Sequence, residues 1–146
     1  MLDEINIVWF KRDLRITDHI PIYKATKESI PFIPLYVLDQ NYWSQDFLSI
    51  RHWNFVYDCL EELNIELSNI GQPLIIKKGS AVNIFKDIQS NFKINKVYAH
   101  EETSNDWVRK ENLSVKNWFA ENLIEFTEYP TNGVVRGLKS RDEWIK

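Results

Sequence analysis

The chain has 146 residues, 44% hydrophobic and 14% aromatic, which suits one folded domain with its own core and excludes a disordered tail. Its 18 basic residues face 21 acidic ones, a net charge of −3, which excludes a generally basic nucleic-acid surface and leaves room for a local basic patch. Cys59 is the single cysteine, so neither an internal disulfide nor a cysteine-rich zinc site can form.

The apolar run INIVWF at 5–10 predicts a first strand. Acidic residues precede it where a signal peptide needs basic ones, and no apolar stretch reaches membrane-spanning length, so a cytoplasmic location is expected. The run ends in WFKRDLRITDH, residues 9–19, where Lys11, Arg12, Asp13, Arg15 and Asp18 crowd together. Asp18 is placed to cap a short helix through HIPIYKATKE, with Pro21 tolerated in its first turn.

FIPLYVL at 32–38 predicts the second strand, followed by an irregular polar-aromatic loop, DQNYWSQDFLS, at 39–49. Ser49 then opens a long helix with an apolar stripe of Ile50, Trp53, Val56, Leu60, Leu63, Leu67 and Ile70, and Gly71 stops it. Cys59 lies within this helix as a buried or half-buried small apolar side chain. LIIK at 74–77 is the third strand, and Ser80 caps the next helix, with Val82, Phe85, Ile88 and Phe92 on one face. KVYAH at 96–100 is the fourth strand. Ser104 or Asn105 starts a last helix to about Leu123, with Val108, Val115, Trp118 and Phe119 inward, and IEFTEY at 124–129 is the fifth strand. A sequon at Asn112-Leu113-Ser114 is read as chance, since no secretion signal accompanies it. Beyond Tyr129 the apolar positions thin out, and residues 130–146 read as a connector.

Strands alternating with helices predict a three-layer α/β/α fold on a five-stranded parallel sheet, Rossmann-like and doubly wound. Ligands of such sheets bind outside the carboxyl ends of the strands, near the point where strand order reverses. That edge would gather the charged knot, Asp39, Gly79-Ser80 and His100-Glu101-Glu102. The knot also has a plainer reading, in which Asp13 and Arg15 pin the loop through ion pairs and Asp18 is only a cap. His19, His52 and His100 lack metal-motif spacing and read as ordinary polar residues. With glycine only at 71, 79, 133 and 137, neither G-x-G-x-x-G nor a P-loop is present, and there is no G-x-S-x-G.

VWFKRDLRITDH resembles the opening motif of the photolyase/cryptochrome family, W-F-[RK]-x-D-L-R followed closely by Asp and Asn or His. SIRHWNFVYDCLEELNIELSNIGQPLIIKKG is similar to that family's helix and following strand. VYAHEETSNDWVRKENLSVKNWF and NGVVRGLKSRDEWIK resemble a bacterial cryptochrome-like branch with H-E-E-T-G, Arg-Asp and N-G-V-V-R-x-L-K-x-R-D-x-W. Ser104 stands where that branch has Gly, and Lys110-Glu111 where it has Arg-Asp.

The resemblance implies the N-terminal α/β domain, residues 1–129, of a longer flavoprotein. Residues 130–146 would begin a linker to a helical domain that holds FAD and meets damaged DNA. It implies no membrane contact and no repair activity from this chain alone. It further implies a light-harvesting chromophore in this domain: a folate, a deazaflavin, FMN or a lumazine. The matching positions are Phe10, Lys11, Arg12, Asp39, Arg51 and Glu101, with Asp13, Arg15 and Asp18 structural. In that picture Phe10 stacks on the ring, Lys11, Arg12 and Arg51 hold an anionic tail, and Arg12 meets Asp39 across the strand ends. The alternatives are a stand-alone nucleotide- or phosphate-binding module and a docking module without a small ligand.

Overall fold

A computed structural model describes residues 1–140 and 142. Five strands, β1 (Glu4–Phe10), β2 (Phe32–Leu38), β3 (Ile75–Lys78), β4 (Lys93–His100) and β5 (Glu125–Tyr129), form one parallel sheet in the order β3-β2-β1-β4-β5. Five helices connect or follow them: α1 (Ile20–Ala25), α2 (Gln40–Trp43), α3 (Ile50–Asn69), α4 (Ala81–Asn91) and α5 (Asp106–Glu121).

The continuous apolar strands are explained by burial on both faces. Along β1 the side chains alternate with the strand period of two. Ile5, Ile7 and Trp9 join a core with Ala81, Ile84, Phe85 and Ile88 of α4 and Val115 and Phe119 of α5. Val8 and Phe10 face the other way, against Ala25 of α1 and Leu60, Leu63 and Leu67 of α3. Phe85 anchors the first core, edge-on to Trp9 at 5.2 Å and to Phe119 at 4.7 Å between ring centroids. The architecture is the three-layer, doubly wound α/β/α expected.

Several local expectations change. Asp18 has a left-handed backbone, φ 49°, and sits before the cap. His19 is the N-cap of α1, its Nδ1 accepting the Ile22 N–H at 3.3 Å. The loop after β2 contains α2, capped by Asp39, whose Oδ1 accepts the Asn41 N–H at 2.8 Å. The α3 stripe is buried only at Leu60, Leu63 and Leu67, because the helix overhangs the sheet at both ends. Ile50 and Ile70 are exposed, and Trp53 is half-buried, edge-on to Trp43 at 5.1 Å. In α4 the inward face includes Ile84, while Phe92 sits at the exposed end. Asn105, not Ser104, caps α5 by accepting the Val108 N–H at 3.1 Å.

No helix among the described residues is long and apolar enough to cross a membrane. The segment after β5 is exposed but tethered: Arg136 reaches back to Glu128 at 3.0 Å and to Glu101 at 3.7 Å. Most of the RDEW motif lies outside the described residues.

Candidate functional site

Strand order reverses between β1 and β4, since the chain runs outward through β2 and β3 and returns to the far side of β1. Helices on opposite faces diverge there, and a crevice opens at the strand ends. A cavity of about 650 Å³ lies there. Its floor is the end of β1 (Trp9, Phe10, Lys11) and of β2 (Tyr36, Val37, Asp39). One wall is α2 and the overhanging start of α3, with Tyr42, Trp43, His52, Phe55, Val56 and Cys59. The other is the β4–α5 connection and α5, with Glu102, Ser104, Trp107, Val108 and Glu111. The lining is mainly apolar and aromatic, the make-up of a site for a flat organic ligand.

The charged knot divides in two. Asp13 is its buried half. Its Oδ1 accepts the Lys11 N–H at 2.8 Å, and its Oδ2 accepts His19 Nε2–H at 2.6 Å and His100 Nδ1–H at 2.7 Å. Burial alone would raise this carboxyl, but the bonds from His100 and His19 hold it well below the usual carboxylate range. The three side chains offer ligand atoms within 4.8 Å of one another, a spacing compatible with a metal ion. The tautomer opposes that reading. His19 Nδ1 accepts the Ile22 N–H, so the ring proton sits on Nε2, the nitrogen that would have to bind the metal. The cluster is a hydrogen-bonded clamp joining the β1 exit, the α1 cap and the end of β4.

Lys11 is the cavity-facing half. Its Nζ lies 4.4 Å from the centre of the Trp9 ring, donates to Asn112 Oδ1 at 2.9 Å and stands 3.9 Å from Glu128. Burial lowers its pKa to about 8, against the opposing pull of Glu128. In a sample carrying 13C-labelled lysine, one lysine should therefore titrate near 8, and Lys11→Arg should remove that transition. An ordinary lysine midpoint for that signal would contradict the buried placement.

Arg12 pairs with Glu102 at 2.9 Å rather than with Asp39, and its side chain is 61% exposed against 5% for Glu102. Arg15 is turned onto the loop, donating to the Thr17 and Asp18 carbonyls at 3.1 Å. Asp39 lines the cavity while capping α2. Phe10 is fully buried at the cavity floor, its ring packed on His19 at 4.8 Å between centroids. Arg51 is exposed and lies outside the lining. Glu101 is also outside it, turned to Arg136, and Glu102 takes its place.

Sequence reasoning missed the aromatic wall of Tyr42, Trp43 and Trp107, the two clamp histidines, and Glu111. Burial and the Asp39 charge push the Glu111 carboxyl up. It also missed Asn112, which is 7% exposed and donates to Glu128 at 3.2 Å. An asparagine so engaged leaves no room for a glycan.

The family model for DNA photolyase matches residues 6–137. The chain belongs to the DNA photolyase family. Among curated proteins, it is 29% identical over 119 residues to the cryptochrome DASH of Solanum lycopersicum, covering 77% of this chain and 21% of that protein. It is 26% identical over 115 residues to the cryptochrome DASH of a Synechocystis species, covering 75% of this chain and 24% of that one. Among solved structures, a Synechocystis cryptochrome superposes with a TM-score of 0.78 at 21% identity, over 89% of this chain and 28% of its own. An archaeal photolyase from Sulfolobus tokodaii, solved with two FAD molecules, gives 0.80 at 23% identity, over 96% of this chain and 33% of its own. The chain thus spans about a fifth to a third of the relatives it matches.

Proposed function

We propose that this domain holds a flat heteroaromatic light-harvesting chromophore in the cavity at the strand ends, and serves a longer photolyase- or cryptochrome-like flavoprotein. The observation that carries this reading is the cavity itself: about 650 Å³, walled by Tyr42, Trp43, Phe55 and Trp107. Its position at the strand-order reversal supports the reading further. So does the Sulfolobus photolyase, described as implying a novel light-harvesting cofactor.

The residues present fit such a group. The aromatic walls exclude water and bury ring faces, Lys11 supplies a positive charge at the floor, and Glu102, Glu111 and Asp39 offer acceptors. Once bound, the chromophore would supply absorption at wavelengths longer than those the chain's own tryptophans and tyrosines absorb. Repair of pyrimidine dimers or photoreception, FAD and damaged DNA belong in this reading to a helical domain after residues 130–146.

The test is fluorescence titration with FMN, FAD, a folate, a deazaflavin and a lumazine, monitoring the ligand and the protein tryptophans. At least one should bind, and Cys59→Phe, which fills the cavity from α3, should abolish binding while the thermal transition remains cooperative. Failure of all five to bind would overturn the reading. Exposed Ile50, Phe55 and Ile65 on α3 would then favour the second reading, a surface that docks another domain.

A further inference from the structure

Lys11 is the one lysine among the described residues that lines the cavity, and its surroundings differ from those of a solvated amine. Its side chain leaves the end of β1 at the cavity floor with 14% of its surface open. Of its three N–H bonds, one has an oxygen within hydrogen-bond distance among the described residues, Asn112 Oδ1 at 2.9 Å. The centre of the Trp9 ring lies 4.4 Å from Nζ. Glu128 stands at 3.9 Å, close enough to balance a charge and too far to bond. A lysine kept dry in this way loses its proton readily, and the uncharged amine is a nucleophile. The charges that face it are Glu128 of β5, Glu102 and Asp13 in the flanking loops, which favour the proton, and Arg136, which opposes it. Burial outweighs them and leaves the midpoint at about 8.

We infer that Lys11 is a covalent attachment point for a flat conjugated aldehyde taken into the cavity. The uncharged Nζ adds to the aldehyde carbon, the two amine hydrogens leave with the carbonyl oxygen as water, and a C=N bond remains. The imine nitrogen, protonated from solvent, has the Glu128 carboxylate beside it as counter-charge. Tyr42, Trp43, Phe55 and Trp107 bury the conjugated part, which selects flat aldehydes over open-chain polar ones. The same walls keep bulk water from the imine and slow its hydrolysis. This goes beyond the chromophore reading, sharing its cavity and requiring none of its ligands.

The probe is pyridoxal 5′-phosphate, given at one equivalent to the 146-residue chain at pH 7 and fixed with borohydride before peptide mass spectrometry. At that pH a lysine with its midpoint at about 8 is uncharged about two hundred times more often than an ordinary one near 10.4. Lys11 should carry at least about tenfold more label than any other lysine. The N-terminal amine, also near 8 but on an exposed Met1, is the internal comparison. It should react alike in folded and urea-unfolded protein, whereas the preference for Lys11 over the other lysines should vanish in urea. Cys59→Phe, which fills the cavity from α3, should bring Lys11 down to the level of the other lysines. If that variant does not fold, the urea comparison decides alone. Label spread evenly over the lysines, a Lys11 preference that survives urea, or one that survives in folded Cys59→Phe overturns the inference. Flavin, folate and lumazine titrations enter none of these outcomes, so the two readings fail separately.

Discussion

Replacing Asp13 by Ala is expected to cost about 3–5 kcal/mol of folding stability, the range seen when one member of a buried charged network is deleted. The carboxylate is shared by three donors, one backbone N–H and two imidazoles, from three separate parts of the chain. Alanine leaves all three facing a void. Asp13→Asn should be nearly as harmful despite its equal size, because its NH2 group must face one of the existing N–H donors. The pH dependence follows from the direction of the carboxyl shift. A carboxylate held lower in the folded protein than its unfolded value of about 3.9 stabilises fully above that value. That contribution fades as pH falls through the acid range, so the unmodified protein should weaken steadily below about pH 5. The alanine variant should lack that part of the acid slope. Asp13 is not part of the cavity lining, so ligand affinity of the folded variant should be unchanged. Urea unfolding at pH 7 and pH 4 tests this, and a loss under about 1 kcal/mol at neutral pH would show the clamp to be dispensable.

The contrast between Asp13 and its neighbours shows what is legible in a sequence of this kind. The strands were readable because a sheet covered on both faces demands continuous apolar runs, a local property of INIVWF and FIPLYVL. The edge of the sheet that carries the site was readable because topology places strand exits together. Partners across that edge were not. His100 lies 87 residues from Asp13, and nothing local distinguishes it from a solvated histidine. Glu101 and Glu102 are adjacent in sequence but point to different partners, Arg136 and Arg12, a choice decided by the turn after β4. The helical periodicity of α3 marked Ile50 and Ile70 as inward, yet the sheet beneath is shorter than the helix. Where the start of α3 overhangs, Phe55, Val56 and Cys59 become a cavity wall. The clearest errors of periodicity thus fall partly where the candidate site is.

Glu128→Gln is expected to cost about 2–4 kcal/mol, less than a fully buried network because some partners are open to water. The Glu128 side chain is 10% exposed and Lys11 14%, while Arg136 and Lys116 are 33% and 36% exposed. Burial raises the Glu128 carboxyl, but the bonds from Arg136 and Lys116 and the Lys11 charge outweigh it and bring the pKa to about 2. The substitution keeps the shape and removes the charge, so Lys11 loses the counter-charge that most opposes its desolvation. Its midpoint should fall further below about 8. A lysine held lower when folded than its unfolded value of about 10.4 disfavours folding while protonated in the unfolded chain. Stability therefore rises with pH between the folded and unfolded midpoints. In the variant that window opens at lower pH, and the deficit against the unmodified protein should be smaller at pH 9 than at pH 6. The tail should loosen at the same time, because the Arg136 pair with residue 128 becomes an uncharged hydrogen bond and its ion pair with Glu101 is the longer one. Faster amide exchange around residue 136, with the sheet core still protected, would show this. An unshifted Lys11 titration together with a loss under about 1 kcal/mol would mean that Glu128 does not govern the charge at the cavity floor.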